Sequence, residues 1–167
     1  MSLVDLTVEE DGWNTLPLDE ISETAARAAL AVQGLDYTAF EISLLACSDD
    51  RISDLNMSFR GKPSPTNVLS WPSANLMPAS PGETPPLPNQ GILAGPTPLG
   101  DVAIALQTCE VEARERSIPL KNHVIHLILH GCLHLLGFDH ETDEDAVLME
   151  GVEIQALAAL GIDNPYS

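Results

Sequence analysis

The chain has 167 residues, 44% of them hydrophobic and 4% aromatic, and it carries seven Lys and Arg against 25 Asp and Glu, a formal charge of −18. That length suits one domain with its own core, and no apolar run approaches the roughly 20 residues that cross a membrane. So acidic a chain is not one that coats nucleic acid indiscriminately, because phosphate binding rests on Lys and Arg.

The opening stretch "MSLVDLTVEEDGW" lacks the basic start and apolar block of a secretory signal, so a cytoplasmic protein is expected. Within it "LVDLTVE" (3–9) alternates apolar and polar residues as a half-buried strand does, and the Ala-rich 18–33 places apolar residues at helical spacing. "FEISLLACS" (40–48) reads as a second strand and "DDRISDLNMSFRG" (49–61) as a short helix closed by Gly61. Residues 72–98 hold eight of the 13 prolines and no basic residue, which predicts a long mobile loop without regular structure. On either side "NVLSW" (67–71) and "GDVAIAL" (100–106) read as strands paired across it. Helices are expected at 107–116, 119–136 and 142–160, the last starting from Thr142 with Asp143, Glu144 and Asp145 in its first turn. The fold class expected is α+β, a single domain with a small mixed sheet of about four strands packed with helices.

Cys47, Cys109 and Cys132 are odd in number and widely spaced, so they suggest buried thiols rather than a disulfide framework or a thiolate metal site. The few cations are grouped: Arg51, Arg60 and Lys62 form one cluster, Arg114, Arg116 and Lys121 a second, and Arg27 stands apart. Both clusters are expected to flank one site. The acids gather at the N-terminus and between Glu141 and Glu153, where solvated surface accounts for most of them.

The stretch "HLILHGCLHLLGFDH" (126–140) contains four of the five histidines. On a helix His130 and His134 share a face and can present both imidazoles to one point. His126 shares that face too, but it lies eight residues from His134, roughly 12 Å of helical rise, too far for bonds of about 2 Å to one ion. Gly137 can end the helix in the left-handed conformation and turn the chain back, which returns His140 as a third ligand. Three imidazoles around zinc leave a fourth position for water, a catalytic type of site. His126 has two readings, a substrate-facing or ligand-supporting group one turn above the metal, or a hydrogen-bonded core histidine. His123 and Cys132 fall off the metal face and read as structural.

The spacing is that of H-E-x-x-H-x-x-G-x-x-H zinc proteases, but Gly131 occupies the place of their glutamate, the base that deprotonates water and then protonates the leaving amine. Peptide hydrolysis is weakened accordingly. Phosphodiester cleavage needs mainly charge neutralisation and positioning, which a metal and an arginine supply.

The motif "HGCLHLLGFDH" (130–140) resembles that of the YbeY endoribonucleases, H-G-x-L-H-L-x-G-Y/F-D-H, at every fixed position. "LNMSFRGKPSPTNVLSWP" (55–72) and "LGDVAIAL" (99–106) are similar to two further segments of that family, with departures at Asn67 (usually Asp), at Trp71 (usually Phe) and in the long proline-rich loop. The resemblance implies a metal-dependent, single-strand-specific endoribonuclease acting in 16S rRNA 3′-end maturation and ribosome quality control, with single-stranded RNA and the small ribosomal subunit and its proteins as partners and no membrane. It implies one Zn2+ held by His130, His134 and His140, and Arg60 as the basic residue of the RNA cleft, where a planar guanidinium fork suits phosphate oxygens. A surface salt bridge is the plainer reading of Arg60. Asp139 either orients a ligand or water or caps the turn after Gly137. Two other functions stay open: an rRNA- or ribosome-binding factor in which the metal is structural, and a metallopeptidase with Glu141 as its base.

Overall fold

The computed structural model describes residues 2–89 and 95–167. Strand β1 (Val4–Val8) leads through a short 3-10 turn into helix α1 (Leu18–Ala31), which crosses back to β2 (Phe40–Cys47), parallel to β1. Helix α2 (Asp49–Arg60) starts at Ser48, whose side chain accepts from the Arg51 amide, and stops at Gly61 with φ of 71°. Strand β3 (Val68–Pro72) then pairs antiparallel with β4 (Thr97–Ala105), and β4 runs parallel to β2, so the mixed four-stranded sheet has the order β1-β2-β4-β3. Helices α3 (Leu106–Glu115), α4 (Leu120–Leu135) and α5 (Asp143–Ala159) complete the α+β domain.

Strand alternation divides the sheet into two faces. Val102 and Ile104 of β4 join the main core under α1, α4 and α5. Leu69, Ala103 and Ala105 point the other way, where they meet Ile52 of α2. Burial on both faces explains why β4 reads as a nearly unbroken apolar run. The three cysteines are free and buried; burial pushes the Cys47 thiol up to about 11 and that of Cys132 to about 12, which keeps both protonated and unreactive.

The expected loop is shorter than 72–98, because Pro72 closes β3 and Thr97 and Pro98 open β4. Proline is tolerated there because β3 is an edge strand and Pro98 sits at a strand start, next to a register shift between Glu41 and Ile42. Residues 73–89 carry no helix or strand, yet they are tied down: the Ser73 amide donates to Leu99 O at 2.9 Å and the Gly82 amide to Asp145 at 2.8 Å. Part of the expected loop, residues 90–94, lies outside the described residues.

Candidate metal centre

Helix α4 is buried along almost its whole length, with His123, Val124, Ile128, Leu129, Leu133 and Leu135 all in the interior. It presses against the sheet at Gly131. A Cβ there would lie 2.9 Å from Val102 Cγ1, 3.2 Å from Ser70 Oγ and 3.3 Å from Val68 Cγ2. Position 131 therefore faces strands β3 and β4, and Ser70 Oγ donates to the Gly131 carbonyl at 3.2 Å. The glutamate of the protease motif has no room here.

Past Leu135 the helix ends in a Schellman turn: the Phe138 amide donates to Leu133 O and the Gly137 amide to His134 O. Gly137 has φ of 99°, and a Cβ on it would sit 2.3 Å from Leu76 O. Both facts require glycine. The turn carries His140 back to the helix, and it also directs the Phe138 carbonyl at His134 Nδ1, 2.9 Å away.

The ligand nitrogens of His130, His134 and His140 all lie within 4.8 Å of one another. His134 Nδ1 must carry its proton, because its partner is a carbonyl oxygen, and His130 Nδ1 donates to the Glu153 carboxylate at 3.0 Å. Each ring then turns an Nε2 lone pair towards the other, and these nitrogens are 3.0 Å apart. Two lone pairs at that distance repel unless a cation sits between them. Tetrahedral zinc with bonds of about 2.0–2.1 Å would set its ligand nitrogens roughly 3.3 Å apart, so a small divalent ion fits the donor set and its spacing. Burial, reinforced by His130 and His140, holds His134 down to about 4, so its lone pair stays free at neutral pH.

Behind the centre, the fully buried Glu153 of α5 accepts from His130 Nδ1 through one oxygen and, through the other, from His126 Nε2 at 2.6 Å and Tyr166 OH at 2.8 Å. Burial alone would raise its carboxyl, but hydrogen bonds from His126 and His130 outweigh that and hold it down to about 2. His126 is 6% exposed and faces this carboxylate rather than the cleft; a substrate-facing place, one of the two sequence readings, is not where it sits. His123 is buried against Glu112 at 2.9 Å. Sequence reasoning passed over Glu153 because it belongs to an acidic tail. Its spacing with Met149, Ala156 and Leu157, all buried, was the available signal, since these share one helical face.

The three histidines open onto a cleft of about 630 Å³ whose wall includes Arg60, Asn67, Ser70, Leu76, Asp139 and Glu141. Arg60 reaches it from the last turn of α2, on the other side of the sheet, and is exposed. Asn56, buried in α2, anchors the following loop through Ser64 O at 2.9 Å. Among the described residues no carboxylate stands within ion-pair distance of Arg60, unlike Arg51, which meets Glu9 at 3.3 Å. Asp139 lines the cleft and accepts from the His140 amide at 2.8 Å, which is how a turn cap behaves. The second cationic cluster is displaced from the expected place. Arg114, Arg116 and Lys121 are not part of the cleft wall, because α4 carries Lys121 nine residues, roughly 13 Å of rise, from His130.

One helix and the turn after it thus bring three imidazoles together beside an open cleft, which defines a class of small α+β domains with a three-histidine cluster able to hold a metal ion. The family model described as Endoribonuclease YbeY matches residues 7–161. The chain is 53% identical over 164 residues to the Endoribonuclease YbeY of Ruegeria pomeroyi, covering 98% of each chain. It is 50% identical over 163 residues to that of Dinoroseobacter shibae, covering 98% of this chain and 90% of the relative. The chain belongs to the endoribonuclease YbeY family. The solution structure of TM1509 from Thermotoga maritima has a similar fold, with a TM-score of 0.55 at 21% identity, covering 95% of this chain and 91% of that one.

Proposed function

We propose that the protein is a zinc-dependent, single-strand-specific endoribonuclease of the cytoplasm, acting in maturation of the 16S rRNA 3′ end and in ribosome quality control. The observation that carries the choice of RNA over peptide is the packing of Gly131 against Val68, Ser70 and Val102, which leaves no base beside the first ligand. His130, His134 and His140 hold the ion. When bound, zinc supplies Lewis-acid activation of water and neutralises charge on a phosphate. Arg60 lines the cleft with no carboxylate paired to its fork among the described residues, and two parallel N–H donors suit the oxygens of a scissile phosphate. His134 and His130, each with Nδ1 already engaged, keep fixed orientation during turnover, and Asp139 holds the backbone that carries His140.

A structured small-subunit particle is the natural partner for so acidic a surface, because a net charge of −18 repels free transcripts and leaves few cations to hold them. The test is incubation of zinc-loaded protein with a single-stranded oligonucleotide spanning the 16S 3′ end, with its duplex, and with a peptide library. Cleavage confined to the single strand is expected. RNA binding without cleavage would instead favour a binding factor, and peptide products would point to Glu141 as a base.

A further inference from the structure

His130 is the ligand nearest the interior, and what fixes its ring is not part of the motif that contains it. Glu153 lies 23 residues away on α5 and is 1% exposed. Its carboxylate accepts three hydrogen bonds, from His130 Nδ1 at 3.0 Å, His126 Nε2 at 2.6 Å and Tyr166 OH at 2.8 Å. The tyrosine comes from the segment after α5, and its ring meets that of His126 edge to face at 5.6 Å. His126 in turn has its Nδ1 buried and, among the described residues, without a partner, so Nε2 carries the proton and the carboxylate is its acceptor.

We propose that Glu153 is a positioning residue for the metal centre, clamped by His126 and Tyr166 so that it locks His130 in the Nδ1–H tautomer and directs the Nε2 lone pair at the ion. The inference rests on the reading that His130, His134 and His140 bind a metal, and not on RNA being the substrate. Burying a carboxylate without Lys or Arg beside it is costly unless the charge is answered nearby. A divalent ion one imidazole away answers it, and the negative carboxylate makes that imidazole a stronger donor to the metal. The same arrangement makes zinc affinity depend on how the segment around Tyr166 docks, although no residue of that segment lines the cleft.

The experiment is competition for zinc with a chromophoric chelator, using the full chain. Glu153→Gln keeps the side-chain volume but removes the charge and one acceptor; it should weaken zinc binding about 10–100-fold. Tyr166→Phe, at a residue 45% exposed, leaves the core filled and should weaken it several-fold. Nitrogen-15 spectra of metal-free wild type should show His130 as the Nδ1–H tautomer, and Glu153→Gln should show a mixture. Met149→Ala, on the same buried stripe but at a side chain with no hydrogen-bonding group to offer the histidines, controls for instability: it should lower the melting temperature while leaving zinc affinity unchanged well below that temperature. Wild-type zinc affinity in both Glu153→Gln and Tyr166→Phe, or an equal loss in Met149→Ala, would overturn the proposal. Loss of zinc affinity in every single-histidine variant together with failure of the zinc-loaded wild type to cut RNA would leave the clamp intact and remove only the ribonuclease reading.

Discussion

Substituting Gly131 probes the contact that distinguishes this centre from a zinc protease. An alanine Cβ would approach Val102 at 2.9 Å and Ser70 and Val68 at 3.2 and 3.3 Å, so at least one strand side chain must move. Overpacking of this kind costs about 1–3 kcal/mol, and alanine returns about 1 kcal/mol through helix propensity. Gly131→Ala should therefore lose between roughly 0 and 2 kcal/mol, a melting shift of up to about 8 °C for a domain of this size. Gly131→Glu adds an unpaired carboxylate forced between α4 and the sheet, at a further cost of several kcal/mol, comparable with the whole stability of a domain. Calorimetry on metal-free and zinc-loaded proteins, with a peptide-cleavage assay on whatever remains folded, gives the answer. A Gly131→Glu protein as stable as wild type would show that position 131 faces the cleft, and peptidase activity in that variant would refute the packing argument outright.

His134→Ala should lose most zinc and all cleavage together, because two imidazoles hold the ion far less tightly than three; full zinc occupancy by elemental analysis would contradict the ligand set. Arg60→Glu should keep zinc content and melting temperature while cleavage falls at least tenfold, since only a phosphate contact is lost; unchanged kcat/KM would remove Arg60 from the site. Salt should weaken RNA binding only gently: with Arg60 on the cleft wall and the exposed Lys62 two residues further on, about two contacts at roughly 0.7 each give a slope near 1.4 in log affinity against log salt, and a slope implying six or more contacts would place the RNA elsewhere. The metal-free protein should lose on the order of 3 kcal/mol as pH falls from 6.5 to about 4, because unfolded His134 takes up a proton that the folded ring, held down to about 4 by burial and its histidine neighbours, resists; denaturant unfolding across that range checks it, and a flat profile would contradict it.

The three-histidine cluster could be read from sequence because all three rings lie within eleven residues, where helical spacing and one glycine determine the geometry. The strands and helices were legible for the same local reason, down to the Thr142 side chain accepting from the Asp145 amide at 3.1 Å. Contacts between distant segments were not. Glu153 looks like its exposed acidic neighbours until α5 packs on α4, and Gly131 shows its reason only once Val68, Ser70 and Val102 lie beneath it. The grouping of cations misled in one respect, since closeness along the chain to α4 does not mean closeness to its histidine-bearing end. Arg60 and His130 share a cleft although 70 residues and a sheet face separate them, and periodicity carries no record of that.

The most direct test of the whole reading is product analysis after zinc-loaded protein meets single-stranded RNA from the 16S 3′ end, with the His134→Ala variant and chelator-treated protein alongside. Discrete endonucleolytic fragments from the wild type alone, restored when zinc is returned to the chelated sample, are expected. Equal cleavage by the His134→Ala protein, or intact RNA in the presence of fully zinc-loaded wild type, would contradict a metal-centred ribonuclease.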